Sequence, residues 1–229
     1  MSKINGSAKI NNTVNVIVPL WNRGEHIKLL LTNIRDIVHK TNEKAIKVWI
    51  SDFHSSDINL PDLVKDYQFP IEIVLIDRPF IIGKALQLAA ERVGDVDELL
   101  YFCDADIVLP TGIFARLRKL VVPRKTFYVP LVSVETPHGQ ILENTKLNSK
   151  GCVGVHVKDF VESKGWRYRE HYNNRRLKGL PGPMERTSWG GHDRHIFEVL
   201  RVVQKLTPIR PIEKDQWIRY HTHKKGWDT

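Results

Sequence analysis

The sequence predicts an α/β fold: a mainly parallel central sheet with helices on both faces, built as a single domain over residues 1–229. Two observations predict it. Through the first 150 residues, short β-branched runs alternate with segments whose apolar residues recur every three or four positions. That is the pattern of parallel strands joined by crossover helices. Second, the chain contains no convincing linker, internal repeat or low-complexity tract, and its length is enough to bury one sizeable core.

The elements follow in order. "VNVIVP" at 14–19 reads as a strand ended by proline. "GEHIKLLLTNIRDIVHK" carries Ile27, Leu30, Leu31, Ile34 and Ile37 on one helical face. "AIKVWIS" is a second strand, ended by the polar turn "DFHSSD", and "LPDLVKDY" is a short helix with proline at an early position. "IEIVLID" makes the third strand, "GKALQLAAERV" a second amphipathic helix and "ELLYFCD" the fourth strand. Beyond Lys125 the pattern loosens. "TFYVPLVSVE" reads as a strand, "GCVGVHVKDFVESKG" as a strand or turn entering a short helix, and "HIFEVLRVVQKL" as the final helix. Residues 1–12 read as a flexible leader, and residues 164–188, rich in Gly, Pro, Asn and Arg, as a long mobile basic loop.

Composition narrows the class. Apolar residues at 41% and charged residues at 27% are ordinary for a soluble globular chain. Two cysteines, Cys103 and Cys152, make neither a disulfide framework nor a zinc motif, and Cys103 reads as a small core residue. No apolar stretch approaches the ~20 residues of a membrane helix, and the polar N-terminus lacks the apolar core of a secretory signal. The expected compartment is the cytoplasm. The net charge of +9 is unevenly placed: seven Lys/Arg against two Glu in 164–186, and seven against Glu213 and Asp215 in 201–225. Such a surface suits a polyanion, a phosphorylated ligand or an anionic membrane face; a plain solubilising face is the alternative.

"LLYFCDADIVLP" at 99–110 carries the chemistry. An apolar strand runs into Asp104-Ala105-Asp106, where carboxylates are costly without compensation. A second D-x-D, Asp95-Val96-Asp97, precedes the same strand and reads as a solvated turn. Ligands of open α/β sheets bind beyond the carboxyl ends of the strands, so only the pair at 104–106 stands at the binding edge. Paired carboxylates there suit a hard divalent cation, Mg²⁺, Mn²⁺ or Ca²⁺, able to neutralise a diphosphate; a histidine ligand would favour Mn²⁺ over Mg²⁺.

Five segments in order resemble one family. "VNVIVPLWNRGEHIKLLL", "WISDFHSSD", "DRPFIIGKALQLAAE", "FCDADIVLP" and "SWGGHDRHIF" are similar to motifs of metal-dependent glycosyltransferases of the Rossmann-like GT-A fold, above all the β-1,4-galactosyltransferase and chondroitin-synthase groups. The resemblance covers roughly residues 14–223. It implies a hexosyltransferase taking a nucleotide-sugar, typically a UDP-sugar, with Mn²⁺ or Mg²⁺. It places Pro19, Asn22 and Arg23 at the nucleotide, Arg23 against phosphate. Asp52 takes a position that accepts a hydrogen bond from the base, with a turn aspartate capping its own backbone as the alternative. Gly83 and Lys84 match a donor-pocket segment or a plain helix start. Asp104 would face the nucleotide sugar and share the metal with Asp106, which ligates it directly.

The same resemblance makes Asp193 the base that takes the proton as an acceptor hydroxyl attacks the anomeric carbon with inversion; as an N-cap it would simply start a helix. Gly190 and Gly191 would let backbone approach the sugar, and Trp189 would stack on it. His192 stands where the family usually has glutamate, which opens the question of substrate preference. His221 or His223 would complete the metal site, and spacing does not choose between them. The implied partners are a nucleotide-sugar donor and an acceptor on a glycan or lipid carrier. The basic charge also allows a hydroxylated base in DNA, flipped out and bound with strong salt dependence. The competing class is a non-catalytic GT-A partner or binding module, which would typically have lost the metal or base residues. A nucleotidyltransferase would want a Gly-rich loop after the first strand, and "PLWNRGEH" has none. Oligomeric state leaves no signal in the sequence.

Overall fold

The computed structural model describes residues 12–135, 138, 140–148, 152–168, 184 and 192–221. Strands β1 (Val14–Leu20), β2 (Ile46–Asp52), β3 (Ile71–Leu75) and β4 (Leu99–Phe102) alternate with helices α1 (Gly24–Thr41), α2 (Leu60–Leu63) and α3 (Ile82–Ala90). A short β5 (Ile107–Val108) leads to α4 (Ile113–Leu120), β6 (Thr126–Tyr128), β7 (Leu131–Glu135), β8 (Ile141–Asn148), β9 (Val153–His156) and α5 (Val157–Glu162). The chain closes with α6 (His192–Glu198), which runs into a π-helical turn, then β10 (Thr207–Ile209) and β11 (Ile218–His221). Among the described residues no helix is long and apolar enough to cross a membrane.

A seven-stranded sheet runs in the order β10-β6-β9-β4-β1-β2-β3, and a four-stranded sheet runs β5-β11-β7-β8. The first four strands are parallel neighbours, as alternation with helices requires, while β9 is antiparallel to both β4 and β6. Two apolar layers cover the large sheet. One holds the inner stripe of α1, Ile27, Leu30, Leu31, Ile34 and Ile37, against Val14, Val16 and Val18 of β1. The other packs α3 and α6 against the opposite side chains, Ile17, Leu100 and Phe102. The alternation is the two-residue strand period burying both faces. Cys103 and Cys152 are both buried and unbridged.

Strand β1 is the topological switch, with β2 on one flank and β4 on the other. Its pairing with β2 continues through Leu20–Asp52, but its pairing with β4 ends at Ile17–Phe102. Pro19, which has no N–H to donate, sits in β1 beyond the last β4 pair. The strands therefore part at their carboxyl ends, which is where a crevice forms in such sheets. Asp104-Ala105-Asp106 is the crossing between the two sheets, from β4 in the first to β5 in the second. Asn33 of α1 pins the far side of that crossing: its Nδ2 donates to the Leu109 carbonyl at 3.3 Å, and its Oδ1 accepts from the Leu109 N–H at 2.7 Å.

The loops after β1 and β2 are locked to one another. Asn22, in the left-handed region at φ 49°, donates its N–H to Ser55 Oγ at 3.0 Å and accepts from the Ser56 N–H at 3.0 Å. The N–H of Gly24, first residue of α1, donates to the Asp57 carboxylate at 2.8 Å. Arg23, the residue before the helix, supplies no side-chain cap, so Asp57 satisfies an orphan helix donor from another loop. A Cβ on Gly24 would stand 2.9 Å from Cβ of Ile58, so the close approach of these loops requires glycine there.

Three expectations change. "TFYVPLVSVE" is two strands in different sheets, β6 and β7, because Pro130 separates them. Strand β8 was not anticipated. The mobile basic loop expected at 164–188 opens instead as a packed 3-10 turn at Gly165–Arg167, with Trp166 buried to 1% exposure; residues 169–183 and 185–188 lie outside the described residues, as does the expected leader up to residue 11. The decoy Asp95-Val96-Asp97 is an exposed turn, the Asp97 N–H donating to Asp95 Oδ1 at 2.9 Å.

The β4-β9-β6 contact leaves no space at Gly154, where a Cβ would lie 2.3 Å from Leu117 Cδ2 and 3.2 Å from Tyr128 Cβ. Gly154→Ala is expected to destabilise the protein by about 1–3 kcal/mol through overpacking, read from the midpoint of urea unfolding.

Candidate active site

Where β1 and β4 part, a cavity of about 240 Å³ opens, lined by Pro19, Trp21, Arg23, Phe80, Ile82, Asp104, Ala105, Asp106, Asp193 and Tyr220. Five residues expected at the site meet here: Pro19, Arg23, Asp104, Asp106 and Asp193. They come from three places in the sequence, brought together by the switch point and by the start of α6. Ala105 turns into the core at 7% exposure, and Asp104 and Asp106 on either side of it are half-buried.

Three carboxylates in one cleft repel one another, and Asp104 carries most of the strain. Burial, then the charges of Asp106 and Asp193, push its carboxyl from the usual aspartate range up to about 7; His192 and a hydrogen bond from Tyr220 act in the opposite direction. The Tyr220 hydroxyl donates to Asp104 Oδ2 at 3.1 Å. His192 Nε2 lies 2.5 Å from Asp193 Oδ1.

The segment that carries Asp193 is held from behind. Trp166 donates its Nε1–H to the His192 carbonyl at 3.1 Å and its own backbone N–H to Gln87 Oε1 at 2.8 Å. Gly165 permits this, at φ +50° and with a hypothetical Cβ only 2.5 Å from the same Gln87 oxygen. Arg167 adds a bidentate pair to Glu91 at 2.5 and 2.9 Å. Helix α3 therefore positions the start of α6 through a buried indole.

Other expected residues take different places. Asp52 is 5% exposed and spends its carboxylate on Ser55, accepting from the backbone N–H at 3.1 Å and from Oγ at 2.6 Å. It behaves as a turn aspartate and does not line the cavity. Asn22 ties the two loops together, as described. Gly83 and Lys84 lie in the first turn of α3; their neighbour Ile82 reaches the cavity, and they do not. Trp189, Gly190, Gly191 and His223 lie outside the described residues, as does the side chain of His221, whose backbone ends β11.

Sequence reasoning missed the aromatic wall. Trp21 and Phe80 stand 5.4 Å apart, Phe53 meets Phe80 edge-on at 4.9 Å, and Arg78 lies 5.2 Å from the Trp21 ring. It also missed Tyr220. A signal existed for Trp21, one residue past the first strand and inside the quoted motif, but none separated Phe80 from an ordinary core aromatic.

Two carboxylates on one wall of the cavity, Asp104 and Asp106, form a donor set that fits a hard divalent cation. Among the described residues no group of three possible ligand side chains gathers, and the expected third ligand, His221 or His223, falls outside them.

The fold and the cleft define a glycosyltransferase-type domain of the GT-A class. The solved structures agree: the chain superposes on residues 1–349 of S. aureus TarS in complex with UDP-GlcNAc with a TM-score of 0.64 at 12% identity, over 93% of this chain and 59% of that one. Against the Drosophila β-1,4-galactosyltransferase 7 mutant in complex with manganese, UDP-Gal and xylobiose, the TM-score is 0.56 at 11% identity, over 93% and 71%. The chain belongs to the chondroitin N-acetylgalactosaminyltransferase family, whose model matches residues 3–225. A mouse relative, N-acetyl-beta-glucosaminyl-glycoprotein 4-beta-N-acetylgalactosaminyltransferase 1, is 23% identical over 225 residues, 94% of this chain and 20% of the relative. The chain spans between a fifth and two fifths of the lengths of the curated relatives it matches.

The raised carboxyl of Asp104 has a testable consequence. In metal-free protein at about pH 8, Asp104→Asn is expected to raise the melting temperature by about 2–4 °C per kcal/mol of relieved repulsion. The sign follows from a folded value of about 7 above the unfolded one: the folded wild type takes up a proton and recovers stability as pH falls through 7. The advantage of the variant should shrink from there and vanish below about pH 4. Scanning fluorimetry in chelator across pH checks this.

Proposed function

We propose that this chain is the catalytic domain of a metal-dependent, inverting glycosyltransferase that moves a sugar from a UDP-sugar to a hydroxyl of a glycan acceptor. The observation that carries the reading is the convergence of Asp104, Asp106 and Asp193 on one cavity beyond the carboxyl ends of β1 and β4. N-acetylgalactosamine is the sugar in the family's name, and so the first donor to test.

The roles follow from the geometry. Asp104 and Asp106, with a histidine from 221–223, would hold Mn²⁺ or Mg²⁺. Bound there, the cation supplies charge that offsets the departing diphosphate. Arg23, on the same wall, suits phosphate oxygens. Trp21 and Phe80 offer a face on which a base or sugar can stack. Asp193 takes the proton from the acceptor hydroxyl as its oxygen bonds to the anomeric carbon; the bond to UDP breaks on the opposite side, and configuration inverts. Tyr220, by donating to Asp104, stabilises the ionised carboxyl that the site needs.

The relatives are named for glycan and glycoprotein acceptors, and one neighbour holds xylobiose, which favours a glycan over a hydroxylated DNA base. A non-catalytic module would have no use for three mutually repelling carboxylates in a cleft, so their retention favours an enzyme.

The test is hydrolysis and transfer from UDP-GalNAc and other UDP-sugars with Mn²⁺. Asp193→Asn is expected to lower the transfer rate by about 10²–10⁴-fold while UDP binding by calorimetry persists. Full activity in chelator, or an unaltered rate in Asp193→Asn, would sink the reading.

A further inference from the structure

The carboxylates of the cleft ride on two segments far apart in sequence, the end of β4 and the start of α6, and one side chain lies against both. The Trp166 ring meets that of Phe102, the last residue of β4 and two residues before Asp104, at 4.8 Å between centroids with the planes 89° apart. Its Nε1–H donates to the carbonyl of His192, the residue before Asp193, at 3.1 Å. Phe160 lies 5.8 Å from the same ring, and Ile196 of α6 belongs to the same apolar cluster.

We propose that Trp166 is a positioning residue for the sugar transfer proposed above, on which this assignment rests: its indole sets the separation between the carboxylates beyond β4 and Asp193. In an inverting transfer the attacking oxygen, the anomeric carbon and the departing phosphate oxygen line up. The base on one side and the anchor of the diphosphate on the other therefore have one productive spacing. A misplacement of about 1 Å costs up to about 10²-fold in rate. Asp104 and Asp193 repel one another, so that spacing needs a support that resists distortion. An indole suits the task, being a rigid plane with a single donor at its edge.

The indole is itself braced. Trp166 is buried, and its backbone N–H donates to Gln87 Oε1 at 2.8 Å. Gln87 Nε2 donates in turn to Glu91 Oε1 at 2.8 Å, and Glu91 pairs with Arg167. Ser163 closes the preceding turn: its Oγ donates to the Phe160 carbonyl at 2.7 Å and accepts from the Gly165 N–H at 3.1 Å. The helix that supplies Gln87, α3, also presents Ile82 to the donor cavity, so the same element serves the donor wall and the indole. A ring fixed at its backbone and at its Nε1–H turns only by giving up a buried hydrogen bond, which leaves a desolvated group unmet.

The experiment uses the full chain and starts from Trp166→Phe, which keeps a ring against Phe102 and removes the indole N–H. In metal-free protein, amide hydrogen exchange across residues 192–198 should quicken about 5-fold while β1 and β2 are unchanged. With Mn²⁺, and with UDP-GalNAc or whichever UDP-sugar of the panel is hydrolysed fastest, kcat should fall about 10-fold. The donor KM and the affinity for UDP should stay within about twofold of wild type. Calorimetric stoichiometry with UDP and Mn²⁺ counts folded sites, so misfolded protein is not read as a slower rate. Gln87→Met, which leaves the indole in place and removes the acceptor of the Trp166 backbone N–H, should lower kcat about threefold. In the Asp193→Asn background Trp166→Phe should bring no further loss, because it acts through Asp193. Wild-type kcat in both single variants, unaltered exchange at 192–198, or the same 10-fold loss in the Asp193→Asn background would overturn the assignment. A wild-type rate in Asp193→Asn alone would instead overturn the transferase reading.

Discussion

The repulsion among Asp104, Asp106 and Asp193 is the interaction the rest of this structure answers to. Carboxylates that share a cleft separate unless the backbone that carries them is stiff, and those held together take up protons more readily. Here the stiffness comes from two directions. Asp104 and Asp106 sit at the crossing from one sheet to the other: β4 pairs with both β1 and β9 on the near side, and Asn33 clamps Leu109 on the far side. Asp193 lies in the first turn of a helix whose first carbonyl, that of His192, is held by Trp166. The fold therefore keeps negative charge concentrated at the one place where its central sheet opens.

The wall of the cleft is fixed by the same economy. The loops after β1 and β2 share Asn22, Ser55, Ser56, Gly24 and Asp57 in a closed set of hydrogen bonds, so Trp21 and Arg23 project from a braced turn. This also explains why Asn22 and Asp52, which stand in motif positions, do not line the cavity. Their polar atoms are already committed to backbone N–H groups, and a buried aspartate that satisfies a turn has little left to offer a ligand.

What the sequence made legible was what period and order encode. Strands β1 to β4, helices α1 and α3, and the position of Asp104-Ala105-Asp106 beyond β4 all follow from local patterns repeated along the chain. The parting of β1 from β4 and the second sheet were not legible, because β5, β7, β8 and β11 are short or polar and find their partners far away in sequence. Trp166 shows the limit well. Embedded in "KGWRYREHYNNRR", it read as part of a mobile basic stretch, yet it is buried against α3 and the start of α6. Composition averages over a window, whereas burial is decided residue by residue through contacts the window does not contain.

His192 can be understood from the same charge balance. In the family this chain resembles, glutamate usually precedes the base, and a glutamate here would place a fourth carboxylate beside three. Histidine instead lies 2.5 Å from Asp193 Oδ1 and is the foremost influence drawing the Asp104 carboxyl down toward its ionised form, ahead of the Tyr220 hydrogen bond. The exchange removes one negative charge from the cluster and gains its partial neutralisation.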